Sequence, residues 1–162
     1  MKRNNILVYA ASFLLPMGIA VAANGPAMKE GLWTVHTVTT INPGNAKSEG
    51  TISICRSHAY DESVEAAAKT KRGCTTVSES FEGGKRSVVL HCTIAITVVD
   101  TKAVTTFDGD SAAHSEIHAT YTPPMAGISE TNMIQDQKYV GACPSGAQPG
   151  TGSDRTGQSR TL

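Results

Sequence analysis

The chain has 162 residues, with 14 lysines and arginines against 14 aspartates and glutamates. Such a balance argues against nucleic-acid binding, because phosphate affinity depends on several clustered lysines or arginines, and no nucleic-acid partner is expected. The length allows one domain with a core of its own.

The opening MKRNN is short and basic, and ILVYAASFLLPMGIAVA then runs apolar to the small residues Ala20, Val21 and Ala22. This three-part layout predicts a secretory signal over 1–22, cut after Ala22. A retained anchor is the weaker reading, because Pro16 and Gly18 interrupt the run, so no stable membrane span is expected in the mature chain. No cysteine flanks the cut, which argues against a lipid anchor. Losing Lys2 and Arg3 turns 14 bases and 14 acids into 12 and 14, a net charge of −2.

Four cysteines remain: Cys55, Cys74, Cys92 and Cys143. An even count in an exported chain predicts two disulfides and an oxidising compartment, while the lack of a C-x-x-C pair counts against a zinc ribbon or a disulfide isomerase.

"GLWTVHTVTTI", from Gly31, is rich in β-formers and predicts a first strand; "NPGN" turns the chain, and "EGTISIC" predicts a second strand reaching Cys55. A helix is predicted over 58–72. Ser57 can cap it, Asp61 and Glu62 lie near its positive end, Lys69, Lys71 and Arg72 lie near its negative end, and Gly73 offers a left-handed exit. Helix electrostatics thus accounts for the one basic cluster. Tyr60, Val64, Ala67 and Ala68 form a narrow apolar stripe suited to lying on a sheet.

From Cys74 the pattern is β. Residues 86–99 predict a central strand with Val88, Leu90, Cys92, Ile94, Ile96 and Val98 facing the core. Glu82-Gly83-Gly84 predicts a three-residue hairpin that closes on Phe81 and Lys85 and sets Cys74 opposite Cys92. That register also puts Thr76 and Ser78 on the core side unless a bulge intervenes. Further strands are expected at 103–107, 113–121 and 128–140. The predicted fold is α+β and mainly β: a curved antiparallel meander of about seven strands with one helix packed on it. Cys55 and Cys143 would tie the start of the domain to its finish, although four cysteines allow three connectivities. The domain is placed at 23–144. The Gly-, Ser- and Thr-rich stretch 145–162 has no hydrophobic period and is expected to be a flexible tail.

"HSEIHATYTPPMAG" carries the densest side-chain chemistry. On a strand His114, Glu116 and His118 share one face, which makes them candidate metal ligands. Same-face neighbours lie roughly 7 Å apart, so three such residues converge on one ion only with help from an adjacent strand, for example His91, Asp110 or Glu130. The plainer reading is a solvated strand face, opposed by Ala113, Ser115, Ile117, Ala119 and Tyr121 on the inner side. "GDS" (Gly109, Asp110, Ser111) near His114 suggests a small hydrolase, but it falls in a predicted β-turn rather than at a strand-to-helix elbow. No glycine loop for phosphates and no dinucleotide fingerprint occurs, so no catalytic residue and no cofactor is assigned.

"GLW" at 31–33, the four cysteines, and "HSEIHATYTPPMAGISE" followed by "DQKYVGACP" together resemble an exported Gram-negative family, domain of unknown function 3617. The resemblance spans about residues 31–144. It implies a periplasmic or envelope location and assigns no reaction. Members often carry Thr-Pro-Glu after the first cysteine, whereas this chain has Arg56-Ser57-His58, which keeps the capping oxygen and loses the N1 proline.

The leading expectation is a non-enzymatic periplasmic domain that binds a partner protein or a small apolar ligand with its sheet. A metal-binding envelope protein and a small hydrolase are the alternatives. A dry, side-chain-filled concavity would count against the first.

Overall fold

The structure is a computed structural model that describes residues 25–70, 73–154 and 159–161. The expected signal segment, 1–22, lies outside the described residues. Among the described residues nine strands and one helix follow in the order β1 (Gly31–Asn42), β2 (Ala46–Arg56), α1 (His58–Lys69), β3 (Cys74–Glu82), β4 (Lys85–Ile94), β5 (Thr97–Asp108), β6 (Ala112–Met125), β7 (Ile128–Gly141), β8 (Thr151–Asp154) and β9 (Ser159–Thr161).

All strands belong to one antiparallel sheet, ordered β3-β4-β5-β6-β7-β1-β2-β8-β9. Strands β3 to β7 form the expected meander. The β1–β2 hairpin adds beside β7, so α1 must carry the chain back across the sheet from β2 to β3. In a flat sheet those two strands would stand roughly 29 Å apart at about 4.8 Å per strand. A single cavity nevertheless touches residues of both, together with α1. The sheet therefore curls, and the helix spans its concave face.

Local chemistry accounts for each join. Ser57 caps α1, its hydroxyl accepting from the Tyr60 N–H at 3.2 Å, so the missing N1 proline leaves the start intact. The β3–β4 connection is shorter than expected: Gly83 and Gly84, at φ 56° and 75°, make a two-residue turn closed by Glu82 and Lys85. That alone would shift the register by one residue. A bulge between Thr76 and Ser78 shifts it back, so Thr76 faces inward, Ser78 faces outward, and Cys74 meets Cys92. Both disulfides form, Cys74–Cys92 with Cα atoms 3.9 Å apart and Cys55–Cys143 with Cα atoms 5.7 Å apart.

Two features differ from expectation. The stretch 86–99 is not one strand but nearly all of β4 and the start of β5, turned at Ala95 and Ile96 and closed by the Ile94–Thr97 pair. Ala95 takes the left-handed position, φ 54°, with no glycine or asparagine to mark it. The turn inverts the phase, so Val99 is buried while Ile96 stands 83% exposed. Second, the segment after Pro144 was expected to be a flexible tail, yet it contains β8 on β2 and β9 on β8. Pairing at a sheet edge runs through backbone groups, which leave no hydrophobic period to read.

The densest core lies at the end of the sheet where β2 meets α1. Trp33 is fully buried among Met28, Val35, Ile54 and Ala113, with Tyr139 edge-on at 5.9 Å. Its indole N–H donates to the Lys29 carbonyl at 2.9 Å. Gly31 is required two residues earlier: at φ 138° a Cβ there would run into the Gly141 carbonyl. This explains the spacing of "GLW", a glycine for close approach and a tryptophan to fill the core.

Candidate functional site

Alternation along the paired strands sends Val35, Ile52, Ile54, Val88, Leu90 and Ala103 to the concave face. From α1 the side chains of Tyr60, Val64 and Ala68 point to the same space. They do not fill it. A cavity of about 580 Å³ remains between helix and sheet, within the range of small-molecule sites. Val64, at 49% exposed, shows how little of the helix's apolar stripe is covered.

Tyr60, at the start of α1, packs against the Trp33 cluster, and beyond it two arginines bridge α1 to the sheet. Arg56, at the end of β2, grips both carboxylate oxygens of Asp61 at 2.9 Å and donates to Gln137 Oε1 at 2.8 Å. Its guanidinium stacks over Trp33, 4.8 Å from the ring centre. Arg86, on β4, donates through Nε to Glu79 of β3 at 2.8 Å and through Nη2 to Glu65 of α1 at 2.8 Å. The side chains of Arg56 and Arg86 are only 16% and 23% exposed, so water screens these pairs less than ordinary surface ones. A polar floor continues from Arg56 through Gln137 and Gln135 toward Thr37.

The histidine strand lies on the opposite, convex face. His114, Glu116 and His118 of β6 point outward, while Ala113, Ser115 and Ala119 are buried inward. His114 Nδ1 meets Asp136 Oδ1 at 2.7 Å, and His118 Nδ1 meets Asn132 Oδ1 at 2.8 Å. Each imidazole is thus engaged with its own cross-strand neighbour on β7. Glu116 lies 3.5 Å from His114 alone. Among the described residues no group of three or more His, Cys, Asp or Glu is arranged to hold a metal ion. The hydrogen bond that the His114 ring donates to Asp136 raises the His114 pKa above its ordinary value, partly opposed by burial and aided by Glu116. His91 repeats the motif with Asp100 across β4 and β5, at 2.7 Å. Asp110, in the turn before β6, pairs instead with Lys29 at 3.1 Å.

The hydrolase arrangement is likewise not assembled. His114 directs Nδ1 to Asp136 and Nε2 to Glu116, so neither nitrogen is turned to Ser111. The Ser111 carbonyl accepts from the Tyr139 N–H in a turn.

Neither arginine of the cavity was singled out from sequence as a site residue. A signal existed. Arg86 keeps phase with Val88 and Leu90, and Arg56 keeps phase with Ile52 and Ile54; a cation in register with a core face must find a buried partner or border a cavity.

Fold and site define a class: a small, disulfide-tied, curled antiparallel sheet whose one helix spans an apolar cavity. Residues 28–143 match the family described as "Protein of unknown function (DUF3617)", and the chain belongs to that family. No curated protein matches the chain.

Proposed function

We propose that the protein is exported and works by binding rather than by turnover, taking a small, mainly apolar ligand between α1 and the concave face of the sheet. The observation that carries this reading is the cavity itself, an apolar-walled space left open where a helix of this kind would ordinarily pack down. Export is supported by the leader-like first 22 residues and by the two disulfides, which persist in oxidising compartments. No helix among the described residues is long and apolar enough to cross a membrane.

The test uses the mature, disulfide-bonded chain and the neutral fluorophore N-phenyl-1-naphthylamine. Saturable fluorescence enhancement is expected, and Ala68→Trp, which fills the cavity from the helix side, should abolish it without lowering the melting temperature. A probe that does not bind, or that binds the variant equally well, would overturn the proposal.

A further inference from the structure

We infer that the Cys74–Cys92 disulfide is a redox latch on the rim of the cavity, opened by a dithiol reductant, while Cys55–Cys143 is the permanent tie. The latch goes beyond the binding reading, and its opening is measured without a ligand.

The two bonds differ in how a thiolate can reach them. Exchange needs attack on one sulfur while the other leaves as thiolate. Cys55 is 1% exposed, so its sulfur is shielded, and attack on Cys143 would have to expel a Cys55 thiolate that burial disfavours. Cys74 and Cys92 are both partly exposed, and Cys74 opens β3, the strand that ends the sheet on that side. There either sulfur can be attacked, and either leaving thiolate meets water. One sulfur of the dithiol forms a mixed disulfide with one cysteine and its second sulfur then displaces that cysteine. Two electrons and two protons pass to the protein, leaving the thiols of Cys74 and Cys92 and the reductant as its own disulfide.

What the latch holds follows from the bulge, which divides β3 at Val77. Beyond it, Glu79 accepts from Arg86 Nε at 2.8 Å and the Phe81 ring centre lies 6.0 Å from that of Phe107. Residues 78–82 are thus fastened by side chains whatever the state of the sulfurs. Before the bulge, Thr75, Thr76 and Val77 are exposed. Hydrogen bonds supplement the disulfide there: the ladder to β4, the Thr75 hydroxyl on the His91 carbonyl at 3.3 Å, and the Thr93 N–H on the Gly73 carbonyl at 2.7 Å. An edge segment with so little apolar burial opens locally at small cost once its covalent tie is cut. Thr76 pairs with Leu90, and both line the cavity one row of side chains in from the disulfide. Reduction therefore frees residues 73–77, takes Thr76 out of the wall and widens the cavity at that end.

The experiment treats the mature, disulfide-bonded protein with a low concentration of dithiothreitol, traps thiols by alkylation at intervals and locates them by peptide mass spectrometry. Cys74 and Cys92 should be alkylated to completion while Cys55 and Cys143 stay bonded. Amide hydrogen exchange by NMR on that reduced form should show loss of protection over 73–77 and retention over 78–82, and N-phenyl-1-naphthylamine should dissociate from it faster than from the oxidised protein. Cys74→Ser/Cys92→Ser should reproduce both effects without reductant; if that variant fails to fold, the partly reduced protein decides. Reduction of Cys55–Cys143 first or at the same rate would overturn the inference, as would unchanged protection over 73–77, equal loss over 78–82, or an unchanged dissociation rate. Absence of fluorophore binding in both states would defeat the binding reading, and the alkylation order and exchange pattern would still decide the latch.

Discussion

The Tyr60 ring of α1 rests on Gly150, its Cε2 atom 2.7 Å from where a Cβ at that glycine would sit. Gly150 also has φ 86°, and its N–H donates to the Cys55 carbonyl at 2.9 Å. One residue thus joins the start of the helix, the end of β2 and the segment leading into β8. Gly150→Ala should cost about 3 kcal/mol, combining backbone strain with overpacking. Gly146, at φ 81° with nothing near its missing Cβ, is the control, and Gly146→Ala should cost about 1 kcal/mol. Urea unfolding of both variants checks the difference; equal losses would mean that the Tyr60 contact is not made.

Arg56 fixes the first turn of α1 through Asp61. Removing it strands a partly buried carboxylate and uncovers the Trp33 face, so Arg56→Ala should lose about 2–3 kcal/mol. Arg56→Lys should recover little, because an ammonium cannot reproduce the two-pronged grip. Thermal denaturation of the two variants side by side provides the measurement. Full recovery by lysine would show that charge alone matters there.

The two disulfides close loops of different length, with separations of 88 residues for Cys55–Cys143 and 18 for Cys74–Cys92. Chain-entropy reasoning makes removal of the longer one costlier by about 1.4 kcal/mol, within a loss of roughly 2–5 kcal/mol for either. The comparison is between the paired variants Cys55→Ala/Cys143→Ala and Cys74→Ala/Cys92→Ala under chemical denaturation. Intact mass before and after reduction with alkylation should show four thiols appearing only on reduction.

His114 titrates against Asp136. Its folded-state pKa is raised, so the pair's stabilisation is fully present below the unfolded value of about 6.5 and is lost as pH rises through the folded value. Asp136→Asn removes the main cause and should bring the His114 midpoint down in an NMR titration. An unmoved midpoint would place the cause elsewhere. With the side chain 45% exposed, the effect on global stability should be small.

Much of this arrangement is legible in the sequence. Period-two alternation marked which residues of β6 face the core and which face water, because one side of that strand is wet and the other is not. Ser57 was legible as a cap because capping depends on short-range geometry; Cys74 was placed opposite Cys92, although through a longer turn whose offset the bulge makes good, and Cys55–Cys143 was one of three connectivities that only the fold selects. The turn at Ala95-Ile96 was not, because its residues are those of a strand and tertiary pairing alone imposes the left-handed conformation. The bulge at Val77 was anticipated only as a mismatch between hairpin length and side-chain phase.

Sequence alone determined the mainly antiparallel architecture, the family, the helix and its cap, since these follow from alternation, cysteine placement and local hydrogen bonding. Tertiary structure alone decided that the sheet curls until β2 and β3 share a cavity, that Arg56 and Arg86 suspend α1 over it, and that the C-terminal segment adds strands to the edge. Each of these joins residues far apart in the chain through ion pairs or backbone groups, and neither kind of contact leaves a periodic trace in a sequence.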